Sequence, residues 1–332
     1  MEILKRIFNI AVDCGKFNGK FAYRKGEELK AGLIRTSMRE GHAGFGKNDG
    51  VHQIVVDGQK YTIGDATDSY SDDNIALQKS SELHKLVTLT AICKALKDAG
   101  AKAEGETNVE TEVNLSINIP ITQYNSSSER TAIENLYKGE QEVIFDGEVF
   151  KFNIATVLVQ FETAGIITKY RKAFADENVI ICDCGGLNIT RIALRKGRIV
   201  PDSAKLNAYG SNKLVDEVTE KLYQQHGLEF EKEDVLEMIR GVQVVTGDNA
   251  EKIKTVIAEE VDEFTSKIVS DLKKDANLDI YSVFLCGGSS TIYQQGIAKK
   301  VQCSVKASED SVFDNVKGVL IYLEAYLTAK SA

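Results

Sequence analysis

The residues best suited to chemistry in this chain come as a repeat. Near the start an apolar run ends in Asp13-Cys14-Gly15-Lys16-Phe17-Asn18, and much later another ends in Asp183-Cys184-Gly185-Gly186-Leu187-Asn188. Both read Asp-Cys-Gly-x-x-Asn, and after one intervening residue stand Lys20 and Thr190, each followed by a strand-like segment. Glycine lets a turn backbone approach a ligand closely, and successive N–H groups in such a turn form an anion-binding concavity. An aspartate at the strand end places a carboxylate where it holds Mg²⁺ through water. A single copy is equally an ordinary hairpin turn, so the duplication carries the inference. Two such turns facing each other would grip a polyphosphate, which requires two similar domains and a cleft.

Competing motifs fail. Gly15-Lys16-Phe17-Asn18-Gly19-Lys20-Phe21 resembles the end of a P-loop, but Cys14 replaces the first glycine and Phe21 the Ser/Thr. No GxGxxG follows a strand, which removes the dinucleotide fingerprint. Cys182-Asp183-Cys184 invites a metal reading, yet there is no CxxC and the four histidines are scattered. The six cysteines read as free thiols of a reducing compartment.

The elements that must position the repeat follow from pattern. Residues 7–24 read as strand, turn and strand. Asp57-Gly58 and Asp146-Gly147 mark hairpins. Helices are predicted over 81–99, 126–137 and 160–173, and 206–277 is mostly helical. Residues 113–119 alternate apolar and polar as a strand with two different faces, ending at Pro120. Val179 to Cys182 and Val283 to Cys286 are buried strands of an α/β sheet. Residues 314–327 form a terminal amphipathic helix with Val316, Val319, Leu320, Leu323 and Leu327 inward. Residues 37–50, with Gly41, Gly44, Gly46 and Gly50, read as a surface loop.

At 332 residues the chain is long enough for two domains. The net charge of -8 disfavours a direct nucleic-acid surface, and no stretch reaches the 18 apolar residues of a membrane span. The expectation is a cytoplasmic protein with neither direct nucleic-acid contact nor a membrane anchor.

These residues resemble the actin-like ATPases, whose fold is shared with DnaK-type chaperones and sugar kinases. Segment 9–22 is similar to the first phosphate motif, 179–190 to the second, and Val283 through Gly287-Gly288-Ser289-Ser290 to the adenosine motif. The likeness is greatest to ParM-type plasmid-segregation actins, through Asp13-x-Gly15-x-x-Asn18-x-Lys20, Tyr61 to Ala66, Ile117 to Pro120, Val159-Gln160 to Ala164-Gly165, and Asn315-x-x-Gly318.

The resemblance implies an α/β actin-like ATPase fold of two similar domains, each with a subdomain, around a nucleotide cleft. Domain I would span 1–175, with a small subdomain at about 25–110 and completion by a C-terminal helix at 314–330. Domain II would span 176–313, with its small subdomain at 206–277. It implies that Gly15, Lys16, Asn18 and Lys20 contact the phosphates of ATP or ADP, with Gly185, Gly186, Asn188 and Thr190 opposite. Asp13 and Asp183 would position Mg²⁺ and water. Gly287, Gly288 and Ser289 would lie at the adenosine and Gly210 at the ribose. Gln160 would orient the attacking water, with Glu162 as the substitute.

In function it implies an ATPase that assembles head to tail into filaments and segregates plasmid DNA through a basic DNA-binding adaptor. The alternatives on this fold are a small-molecule kinase and a scaffold that binds ATP without polymerising. Cys14 and Cys184, beside the phosphates, would then make nucleotide binding sensitive to oxidation.

Overall fold

The computed structural model describes residues 4–41, 50–65, 81–101 and 109–331. Gly44, Gly46 and Ala66 lie outside them. The chain divides into two compact units, Met1–Lys169 with Asn315–Ala332, and Tyr170–Asp314.

Unit 1 holds β1 (Leu4–Cys14), β2 (Asn18–Lys25), β3 (Glu28–Arg35), β4 (Met38–Glu40), β5 (Val51–Val56), β6 (Gln59–Gly64), α1 (Glu82–Asp98), β7 (Val109–Ile119), α2 (Ile121–Tyr124), α3 (Ser127–Tyr137), β8 (Gly139–Phe145), β9 (Glu148–Phe161) and α4 (Ala164–Lys169). Its sheet runs β3-β2-β1-β7-β9-β8-β5-β6-β4. Local chemistry explains several joints. Asp57 and Asp146 take φ 51 ahead of Gly58 and Gly147, the left-handed pair that a two-residue hairpin needs. Ser81 accepts the His84 amide and Ser126 the Glu129 amide, capping α1 and α3. The helix α1 is buried nearly all round, so it forms the centre of a core rather than a lid over one.

Unit 2 holds α5 (Arg171–Phe174), β10 (Asn178–Cys184), β11 (Ile189–Arg195), β12 (Arg198–Ile199), β13 (Lys205–Asn207), α6 (Ser211–His226), α7 (Lys232–Arg240), α8 (Ala250–Asp275), β14 (Ser282–Cys286), α9 (Ser290–Lys300) and β15 (Val305–Ala307). Its sheet runs β12-β11-β10-β14-β15, with β13 also on β11. The helix α10 (Asp314–Ser331) then returns the chain to unit 1. There Arg24 grips Glu324 with two hydrogen bonds, of 2.7 and 3.0 Å.

The two sheets share a plan. In each, a hairpin (β1/β2, β10/β11) is flanked by a strand parallel to its first member (β7, β14), and a further parallel strand follows (β9, β15).

Four sequence expectations change. Residues 160–173 are not one helix: β9 runs on to Phe161, because Gln160 and Phe161 pair with Asn118 and Ile119, and two short helices follow. The strand at 113–119 is buried on both faces, so its polar residues are internal. Asn114 donates to Asn9 and Ser116 to the Leu158 carbonyl. In α10, Val316, Val319, Leu320 and Leu323 are buried, but Leu327 is half-exposed. In the presumed loop at 37–50, residues Met38–Glu40 form β4.

Candidate functional site

The repeat seen in sequence is a repeat in register. Asp13 pairs with Lys20 and Cys14 with Gly19, just as Asp183 pairs with Thr190 and Cys184 with Ile189. In each turn the first glycine closes the loop with its own amide, Gly15 to the Asp13 carbonyl at 2.9 Å and Gly185 to the Asn188 carbonyl at 3.0 Å.

The turn carbonyls are held from behind. Thr36 takes two in unit 1, donating its hydroxyl to Gly15 (2.6 Å) and its amide to Phe17 (2.9 Å). In unit 2 the first amides of α6 do the same, Gly210 to Leu187, Ser211 to Gly185 and Asn212 to Gly186, at 2.8 to 3.2 Å. A peptide plane fixes the next N–H opposite to its C=O. Anchoring the carbonyls therefore turns the amides of Lys16 and Asn18, and of Gly186, Leu187 and Asn188, toward the other side, as an anion-binding turn requires. Thr36 carried no signal in the sequence.

In unit 2 the expected residues converge. A side chain on Gly210 would enter the Gly186 carbonyl, and one on Gly287 would enter the Asp183 carboxylate and the Cys184 backbone. Gly287 also has φ 84, which favours glycine. The Ser289 amide bonds to the Cys184 carbonyl (3.0 Å) and its hydroxyl to Ser211 (2.8 Å). Gly288 has open space where a side chain would stand.

In unit 1 the C-terminal ends of three parallel strands carry a polar row. Val12 pairs with Ile117, so Asp13 is next to Asn118, which pairs with Gln160. Gln160 thus lies at a strand end rather than on a helix, and is buried; the Glu162 amide is bonded to the Ile119 carbonyl at 2.9 Å. Asn118 is fully buried with both side-chain polar atoms unpartnered. Thr163, at φ 76, also buries an unpartnered hydroxyl. Unsatisfied buried polar groups cost about 1–3 kcal/mol each and call for an explanation. The ends of parallel strands are where open α/β sheets bind ligands. Asn315 completes the row, donating to Asp13 at 3.3 Å and accepting from the Gly165 amide at 3.2 Å.

The cysteines face away from this chemistry. Cys14 and Cys184 are fully buried, each in the core of its own unit. The Cys182 sulfur at 3.9 Å, together with burial, pushes the Cys184 thiol well up, so it is a poor nucleophile. The oxidation sensitivity expected of them therefore lacks an exposed thiol. No group of three or more His, Cys, Asp or Glu forms a metal cage among the described residues. Mg²⁺ bound through water beside phosphates needs none. Within each unit, turned amides beside a strand-end carboxylate are a donor set that fits a phosphate group and a Mg²⁺ held through water.

Residues 11–165 match the family model for the N-terminal domain of actin-like proteins. The chain has the actin-like fold. Solved structures of that fold align over nearly its whole length. The apo psk41 ParM protein matches at TM-score 0.72 and 13% identity, covering 98% of this chain and 99% of that one. An AlfA filament bound to AMPPNP matches at TM-score 0.66 and 16% identity, covering 98% and 100%. A 15-stranded ParM filament from Clostridium botulinum matches at TM-score 0.74 and 14% identity, again covering 98% and 100%. No curated protein matches the chain by sequence. No described helix is long and apolar enough to cross a membrane.

Proposed function

We propose that this chain is an ATP-dependent, filament-forming actin-like protein that hydrolyses ATP and drives segregation of plasmid DNA in the cytoplasm. The observation that carries the reading is the duplicated turn, in which Asp13↔Lys20 and Asp183↔Thr190 share one register. The solved filaments of the same fold, one of them holding AMPPNP, support the assembly part.

In this reading both turns bind the phosphates of one nucleotide. The amides of Lys16, Asn18, Gly186 and Asn188, with the Lys20 and Thr190 side chains, hold the phosphate oxygens, and Gly15 and Gly185 shape the turns. Asp13 and Asp183 would hold Mg²⁺ through water, and a bound ion would supply charge neutralisation for phosphoryl transfer. Gln160 orients the attacking water, with Glu162 next to it in sequence. Gly287, Gly288 and Ser289 border the adenosine and Gly210 the ribose. The chain assembles head to tail with copies of itself, and a basic DNA-binding adaptor joins the acidic polymer to its cargo.

The test is phosphate release and light scattering with ATP and Mg²⁺. The parent chain is expected to bind one nucleotide per copy, hydrolyse it and scatter. Asp13→Ala with Asp183→Ala should lose nucleotide binding, and unchanged affinity in that variant would sink the site.

A further inference from the structure

Lys94 is the one break in an otherwise buried run of α1, from Leu86 to Leu96, and is itself half-buried. An ammonium in such a place needs a partner. The partner here is not a carboxylate: Lys94 Nζ lies 3.3 Å from His52 Nε2. The other lysines of the helix pair with acids, Lys97 with Glu148 at 2.5 Å and Lys85 with Asp57 at 3.9 Å.

Behind the imidazole stands Asp146. His52 Nδ1 is 3.0 Å from Asp146 Oδ2, and the other carboxylate oxygen accepts the Gln53 amide at 2.9 Å. The Asp146 amide donates in turn to the Gln53 carbonyl at 2.8 Å, and the Phe145 ring stands 5.1 Å from the imidazole. Carboxylate, imidazole and amine are thus lined up from the turn between β8 and β9, across β5, to α1.

These contacts dictate where the protons sit. An ionised carboxylate only accepts, so the Nδ1 that faces Asp146 carries a hydrogen. In the bond between Nε2 and Nζ one nitrogen donates and the other accepts. Either a neutral imidazole accepts from the ammonium, or a neutral amine accepts from the imidazolium. Both arrangements share a single proton between the two nitrogens, and placing it on His52 leaves Lys94 with a free electron pair. A lysine beside a carboxylate has no such base, because the opposite charge favours its ammonium form.

We propose that Lys94 is a modification site, acylated at Nζ by an activated acyl group, an acyl phosphate or an acyl thioester, with His52 as general base and Asp146 as the residue that positions it. The shared proton passes to His52 Nε2. Nζ then forms a bond to the acyl carbon, and the bond from that carbon to the phosphate oxygen or the thiol sulfur breaks, its electron pair leaving with the phosphate or thiolate. A second proton from the nitrogen goes to the leaving group, and His52 returns the first to water. Lys94 becomes a neutral amide, and the charge that α1 carries into the unit is gone. No nucleotide takes part in these steps.

The experiment treats the full chain, without nucleotide, with acetyl phosphate in one arm and acetyl-CoA in the other, and follows each lysine by peptide mass spectrometry. Lys97 is the internal reference, because it lies on the same helix, is more exposed and pairs with Glu148. Lys94 is expected to acylate roughly tenfold faster than Lys97 or more, a fraction of what a positioned general base supplies. Exposure alone would order the two the other way. His52→Gln keeps a hydrogen-bonding group beside Lys94 but takes up no proton, so there the Lys94 rate should fall to that of Lys97 or below while the Lys97 rate holds. A parent whose Lys94 reacts no faster than Lys97 with either donor would overturn the site, as would a folded His52→Gln chain with an unchanged Lys94 rate. Should that variant unfold, its Lys97 rate rises as well, and the ratio of the two lysines in the parent decides alone. Labelling by one donor only supports the site and names its acyl source.

Discussion

Asn315 donates to the Asp13 carboxylate at 3.3 Å while accepting the Gly165 amide at 3.2 Å. One carboxamide thus ties the aspartate of the first turn to the start of α4. Asn315→Ala leaves the buried Gly165 amide without its acceptor and removes one hydrogen bond from Asp13. We expect a loss of about 1–3 kcal/mol in urea unfolding. Nucleotide affinity by titration calorimetry should fall roughly tenfold, the equivalent of 1.4 kcal/mol.

Two glycines should behave in opposite ways. A side chain on Gly318 would enter the Gly165 carbonyl, where the backbones of α4 and α10 touch, whereas one on Gly288 meets nothing within 4 Å. Gly318→Ala is expected to destabilise by about 3 kcal/mol or more, as overpacking against rigid backbone does. Gly288→Ala should leave the melting temperature within a degree or two of the parent's and weaken nucleotide binding. Thermal melts with and without ATP separate the two.

Asn118 holds two unpartnered polar atoms at full burial, beside Gln160 and the strand that carries Asp13. An apolar replacement of similar size removes that penalty, so Asn118→Leu should stabilise the unliganded chain by about 1 kcal/mol. The same change should cut the ATPase rate at least tenfold. Loss of stability on this substitution would mean that the carboxamide has a partner and is structural.

Acid should unfold unit 1 in part through Asp146. Burial pushes this carboxyl up, but its bonds to His52 (3.0 Å) and to the Gln53 amide (2.9 Å) outweigh it, and the net direction is down. A carboxylate depressed in the folded state adds stability that is full above its unfolded pKa of about 4 and is lost as pH falls through the lower folded value. The Tyr23 hydroxyl and Lys25 hold Asp98 down in the same direction, though at an exposed site where solvent shrinks the effect. Asp146→Asn should flatten the stability curve below pH 4 and cost stability at pH 7, measured by urea midpoints across pH.

What was legible in the sequence was what is local. Asp57-Gly58, Asp146-Gly147, Ser81 and Ser126 each act within four residues, and their turns and caps lie where the residues predict. The doubled Asp-Cys-Gly was visible because a repeat needs no long-range knowledge. The residues after Gln160 favour a helix, while the pairing that holds it in β9 comes from Asn118, distant in sequence. Asn118 looked like one polar position in an alternating strand, and only burial on both faces exposes its lack of partners. Thr36 and the start of α6 hold the turn carbonyls through contacts that no spacing encodes.

The Asp13–Asn315 bond also sets an order of events during synthesis. Its two partners stand 302 positions apart, so at about 5–20 residues per second the asparagine leaves the ribosome roughly 15–60 s after the aspartate. All of unit 2 emerges in that interval. A nascent chain carrying only its first turn lacks the Asn315 partner of Asp13 and the α10 helix that belongs to unit 1, so unit 1 is complete only after all of unit 2 has been translated.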